Sequence, residues 1–124
     1  MNVAVVHGRL SSPARAKQLA SGDRMIALEV TVRPETGAAD TVPVVWFEPS
    51  AEAEGWDAGQ EVVVIGRVRR RFFRAGPGAA SRTEVVAATV VPATRRVAVR
   101  KALDTAIGEL GRTRFPSAPP ARRL

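Results

Sequence analysis

Cysteine and tyrosine are absent from this 124-residue chain, histidine occurs once, and aromatic residues make up only 5% of it. Without cysteine there is no disulfide framework, no thiolate zinc site and no cysteine nucleophile. His7 alone does not build a multi-histidine metal cluster, and no cofactor is expected. With so thin a stock of catalytic side chains, no nucleophile and base can be paired, which argues against an enzyme. No apolar run approaches the roughly 18 residues of a membrane span. Met1 leads directly into a short alternating strand pattern instead of a basic region followed by a signal core. The expectation is a cytoplasmic protein with no membrane partner.

What remains is ordinary globular composition, 45% hydrophobic and 25% charged, in a length suited to one domain. The charge is unusual. Nineteen bases against twelve acids leave +7, and seventeen of those bases are arginine, the side chain that pairs phosphate in a planar fork and stacks on flat rings. By segment the net charge runs +3 over residues 1–33, −7 over 34–61, +6 over 62–82, −1 over 83–92 and +6 over 93–124. A field with direction and an arginine excess point to a polyanion.

The chain order reads as five strands. Residues 2–10 are rich in β-branched side chains and stop at Ser11, Ser12 and Pro13. Residues 24–33 alternate, with Ile26, Leu28, Val30 and Val32 on the core face and Ala27, Glu29, Thr31 and Arg33 on the wet one. A third strand spans 41–47, with Pro43 marking an edge or bulge. The acidic stretch 48–59 predicts a helix of about two turns, with Ser50 as cap and Gly59 as stop. A long strand over 60–73 contains Gly66, a bend or bulge signal; 74–82 reads as a mobile loop and 83–91 as the fifth strand. The Gly76-Pro77-Gly78 run lacks the strand-to-helix context of a phosphate-binding loop. Thr94 then caps a helix with Val99, Leu103, Ala106, Ile107 and Leu110 at helical spacing and Gly111 as stop. The fold class is therefore all-β with small α additions. Five strands with a helix between the third and fourth is the order of a Greek-key OB-fold barrel. The parts are the barrel over 1–92, a C-terminal helix over 93–111 and a flexible basic tail over 112–124.

Strand alternation places Arg67, Arg69, Arg71 and Phe73 on one side of the long strand. Guanidinium groups in line with an aromatic ring suit single-stranded nucleic acid, whose phosphates pair with arginine and whose bases stack at roughly 1–3 kcal/mol each. The competing explanation is that one of Phe72 and Phe73 is core and the arginines only protect an extended hairpin. Trp46 and Phe47 occupy opposite faces, so only one is open to a ligand, and which one is undecided at this point. Trp56 is expected as a lid on the barrel bottom. Arg9, Arg15, Lys17, Arg24 and Arg33 border the groove or are solvated charges. His7, alternating with Val3 and Val5, is read as a wall or interface residue, and Glu52 and Glu54 as an exposed acidic face.

These segments resemble the bacterial single-stranded DNA-binding proteins. Asn2-Val-Ala-Val-Val-His-Gly8-Arg-Leu10 is similar to the opening strand of that family, Gly22–Val32 to its second, Val42-Pro-Val-Val-Trp-Phe47 to its third, and Gly59–Phe73 to its fourth, covering roughly residues 1–92. By that resemblance Phe47 falls at a base-stacking phenylalanine, Phe73 at an aromatic that opens the long loop, and Arg69 and Arg71 among basic strand positions. Thr41 stands where the family commonly carries a stacking tryptophan, which removes one platform. The resemblance implies a homotetramer or homodimer. The family's acidic tip is replaced by a helix pattern and a basic Pro-Pro-Ala-Arg-Arg-Leu124 ending, so partners recruited through that tip are not expected.

The resulting expectation is sequence-independent binding of single-stranded DNA, in replication, recombination or repair, through Arg9, Arg33, Phe47, Arg67, Arg69, Arg71, Phe73, Arg74 and Arg82. The alternatives are a protein-interaction module with weak DNA binding and a binder of single-stranded RNA.

Overall fold

A computed structural model describes residues 1–112. The expected basic tail lies, apart from Arg112, outside the described residues. The chain forms six strands, β1 (Ala4–Leu10), β2 (Arg15–Gln18), β3 (Arg24–Val32), β4 (Asp40–Phe47), β5 (Glu61–Ala75) and β6 (Gly78–Pro92), followed by one helix, α1 (Arg96–Arg112). Hydrogen bonding runs β1-β5-β6-β4-β3-β2, and a further β1–β3 pairing closes β1, β5, β6, β4 and β3 into a ring. The β4–β6 pair is parallel, whereas the others are antiparallel.

The sixth strand was not expected. Arg15–Gln18 pairs with Arg24–Ala27, while Arg9 and Leu10 of β1 pair with Thr31 and Val30. The two segments therefore lie end to end along one edge of β3, and Ser11-Ser12-Pro13 bends the chain without taking it off that edge. All four β2 residues are exposed, so the segment carries no apolar alternation to betray it.

The interior is built as the alternation of β3 requires: Ile26, Leu28 and Val30 are buried with Val44, Val62, Val64, Val85 and Val90. Trp46 points inward and stacks on Trp56, with ring centroids 6.1 Å apart and planes at 21°. Trp56 and the buried Ala53 close one end of the ring. Ala53 belongs to a single 3-10 turn, Ala51–Gly55, which Trp56 directly follows, and not to the two-turn helix over 48–59. Glu48 has a positive φ of 49°, Pro49 follows, and Ser50 is extended and makes no side-chain cap, so helix geometry has no room to begin earlier.

The expected mobile loop over 74–82 is also corrected. β5 and β6 are 15 residues each and pair continuously to Ala75 and Gly78. Gly76, at φ 59°, and Pro77 form a two-residue turn with the sign pattern of type II′, which matches the twist of the flanking strands. Glycine and proline read as loop punctuation serve here as hairpin chemistry.

The outer wall of β5 is buried as well, because Val63 and Ile65 lie beneath α1. Val99, Ala102, Leu103 and Ala106, half-buried at spacings of three and four, form the docking stripe, and Val99 and Leu103 share a cleft with Val5 and Val63. Ile107 and Leu110 of the expected apolar set remain exposed. Arg95, just ahead of the helix, holds both carboxylate oxygens of Glu52 at 2.7 Å, which ties α1 to the 3-10 turn and lowers the Glu52 pKa. Leu103→Ala is expected to lower stability by about 1 kcal/mol, below the usual range for a fully buried leucine because the side chain is only half covered. A urea-unfolding midpoint measures it. No helix among the described residues is long and apolar enough to cross a membrane.

Candidate nucleic-acid interface

The site begins with a change of parity. Ile65 pairs with Thr89 but Gly66 pairs with Ala87, so Ala88 is an extra residue in β6. Val85 and Ala87 point into the barrel before this bulge, and Val90 points inward after it. Glu84 is thereby turned to the outer face, opposite Arg69.

That carboxylate is 1% exposed and organises its surroundings. One oxygen accepts from Arg69 Nη2 at 2.5 Å and the other from Arg71 Nε at 3.0 Å. Each arginine in turn stands over an aromatic ring: Arg69 over Phe47, with Cζ 5.9 Å from the centroid, and Arg71 over Phe73 at 5.2 Å. Burial pushes the Glu84 carboxyl up, but the two arginine hydrogen bonds and their charges outweigh it and hold the pKa below the ordinary value. Arg69 Nε is buried without a hydrogen-bond partner. Arg82, which pairs across the hairpin with Arg71, donates to Glu29 on β3 at 2.7 Å.

Beside this cluster runs a groove of about 490 Å³ on the outer face of β2, β3 and β4. Arg15 and Lys17 form one bank, Arg71, Arg82 and Glu84 the other, and Met25, Ala27, Glu29, Pro43 and Val45 the floor, where Arg82 holds the Glu29 carboxylate. A largely apolar floor between banks that carry arginine and lysine, with both acids of the groove ion-paired to arginines, suits a strand whose bases lie flat and whose phosphates sit at the rims.

The structure settles which neighbour faces out on β4: Phe47 is 38% exposed and Trp46 is buried. It also decides against a core role for either hairpin phenylalanine, with Phe73 at 37% and Phe72 at 74% exposure. Phe47, Arg69, Arg71, Phe73 and Arg82 are thus brought together. Arg67 is not among them, since it lines a cleft with Asn2, Ile65 and the α1 residues Ala106 and Glu109. Arg9 and Arg33 share a separate cleft with His7, Thr31 and Glu61. Arg9 pairs there with Glu61 at 3.7 Å, and His7 hydrogen-bonds the same carboxylate at 2.6 Å. Arg74 lies on the opposite face of the hairpin from Phe73. Arg24 pairs with Glu54 and is taken out of the groove. Thr41, opposite Thr31 with the hydroxyls 3.5 Å apart, offers no platform.

Sequence reasoning missed Glu84 as the organising residue, and it only half-placed Arg15 and Lys17. One signal for Glu84 was present: it is the single acid between residues 62 and 92. Nothing in the sequence placed the bulge at Ala88, however, and without it Glu84 would face the core. Among the described residues no group of three or more histidine, cysteine, aspartate or glutamate side chains is placed to hold a metal ion. Comparison with protein-family models and with curated proteins gave no match.

Proposed function

We propose that this protein binds single-stranded DNA without sequence preference, using an OB-type barrel as a passive platform with no chemical step. The observation that carries the reading is the pair of exposed rings, Phe47 and Phe73, each matched with an arginine that is anchored on the same buried carboxylate. Bases stack on such rings, and arginine adds both phosphate pairing and a flat cationic surface. The groove with Arg15, Lys17 and Arg82 at its rims continues the path. Support for the OB-type barrel comes from the closed order β1-β5-β6-β4-β3, its one parallel pair between β4 and β6, and the Ala51–Gly55 turn between β4 and β5 that caps one end. The resemblance of residues 1–92 to bacterial single-stranded DNA-binding proteins points the same way, and extends the proposal to a cytoplasmic homotetramer or homodimer acting in replication, recombination or repair.

The test is a titration of labelled oligo-dT at two salt concentrations against duplex of equal length. Single strand is expected to win and to stay bound at the higher salt, because stacking is less salt-sensitive than phosphate pairing. Phe73→Ala should weaken oligo-dT binding about tenfold, the loss of one stacked base. Equal competition by duplex, with all binding lost in salt, would mean that charge alone held the DNA and would overturn the reading.

A further inference from the structure

The hairpin has two faces, and only one belongs to the interface described above. Val68, Arg70, Phe72 and Arg74 of β5 project to the reverse side, opposite Val85, Thr83, Ser81 and Ala79 of β6. This face carries no carboxylate. The contrast with the front is electrostatic. There Arg69 and Arg71 are tied to Glu84 and Arg82 to Glu29, so much of their charge is balanced within the protein. Among the described residues, on the reverse side, Arg70 donates only to the neutral Ser81 hydroxyl at 3.2 Å, and Arg74 forms no ion pair. Between these two unbalanced guanidinium groups stands Phe72, which at 74% exposure is the most open aromatic ring of the described chain.

An exposed phenylalanine at the end of a ribbon contributes nothing to the core and costs solubility. Two unpaired arginines beside it rule out one simple occupant, since the same face of a second copy would set Arg70 and Arg74 against like charges. A polyanion with flat apolar groups satisfies both features. We propose that the reverse face of the β5–β6 hairpin, Arg70, Phe72 and Arg74, is a second contact site for the same DNA strand, so that a long strand passes over both sides of the ribbon. The inference rests on the single-stranded DNA reading and adds a site to it: Phe72 takes a base, and Arg70 and Arg74 take the flanking phosphates.

Two oligonucleotides separate the faces, one of about 8 nucleotides that one face accommodates and one of about 30 that can reach both. Phe72→Ala, and separately the Arg70→Ala/Arg74→Ala double variant, are expected to leave binding of the short oligonucleotide within about twofold of wild type and to weaken the long one about tenfold. Both changes sit on exposed side chains, so folding is retained; circular dichroism checks it. If Phe72→Ala and the arginine double variant match wild type on the long strand while Phe73→Ala weakens both, the second site is overturned and the front-face reading stands. Loss confined to Phe72→Ala, with Phe73→Ala at wild-type level on both strands, overturns the front-face reading and leaves the reverse site standing. A smaller sedimenting species for Phe72→Ala, with long-strand binding unchanged, assigns the face to self-association and overturns the proposal.

Discussion

Glu84→Gln is expected to lower stability by about 2 kcal/mol and, against the sign of its charge change, to weaken DNA binding at higher salt. Removing one partner of a fully buried pair costs about 3–5 kcal/mol, and the figure here is smaller because the side chains of Arg69 and Arg71 remain 31% and 46% exposed. Glutamine keeps the shape and one acceptor oxygen, but it can no longer anchor both arginines as an anion. Binding then changes in two opposing ways. One further uncompensated positive charge steepens the salt dependence and tightens binding at low salt. The loss of fixed positions for Arg69 over Phe47 and Arg71 over Phe73 weakens the part that persists at high salt. Oligo-dT affinity curves for variant and wild type should therefore cross as salt rises. A variant that binds more tightly at every salt concentration would reduce Glu84 to a counter-charge with no positioning role. The same residue shapes the acid limb of stability. Since its folded-state pKa is lowered, its contribution is fully present above the ordinary value of 4.5 and is lost as pH falls through the lower folded value. Urea midpoints should fall less steeply in acid for Glu84→Gln than for wild type.

Gly66→Ala is expected to cost about 3 kcal/mol or more, the upper range for forcing atoms into packed space. A Cβ at this position would lie 2.1 Å from the Val86 carbonyl oxygen and 2.8 Å from the Ala87 Cα. Both are backbone atoms of the strand to which Gly66 is hydrogen-bonded, so no side-chain rotation relieves the contact. β5 and β6 must separate at the bulge, where the barrel hands over to the free hairpin. The substitution thus loosens the joint that sets the parity of Glu84, and a disturbed hairpin should show first as loss of oligo-dT binding in the fraction that still folds. Urea unfolding gives the stability change directly. A variant with wild-type stability would mean that β6 shifts freely at this point and that the bulge is not a fixed feature.

Several elements were legible because one physical rule dominated them. The alternation of Ile26, Leu28 and Val30 with Ala27, Glu29 and Thr31 specified both a strand and its buried face. Trp56 was readable as a lid because an indole buries a large area where it packs. The α1 stripe was readable from spacing, although Ile107 and Leu110 lie outside its buried part. Other elements failed for equally specific reasons. β2 is held by backbone bonds to β3 with every side chain exposed, and periodicity cannot see hydrogen bonds. The acidic stretch 48–59 looked helical by composition, but Glu48 and Pro49 break the geometry and only one 3-10 turn forms. Arg9 and Arg33 were grouped with the groove on charge, and Arg67 on strand alternation, but neither signal tells which wall of the barrel a position lies against or that α1 stands beside Arg67.

The sequence by itself determined a mostly β chain with a C-terminal helix, a core of alternating branched side chains and a strongly arginine-rich long strand, since these follow from composition and period 2 alternation. Tertiary structure alone decided which arginines are free. An inserted residue, Ala88, reverses the facing of β6 and swings one acid under Arg69 and Arg71, while closure of the ring brings Glu29 to Arg82. These ion pairs join residues 13 to 53 positions apart, and a pattern along one strand does not contain the register of its neighbours.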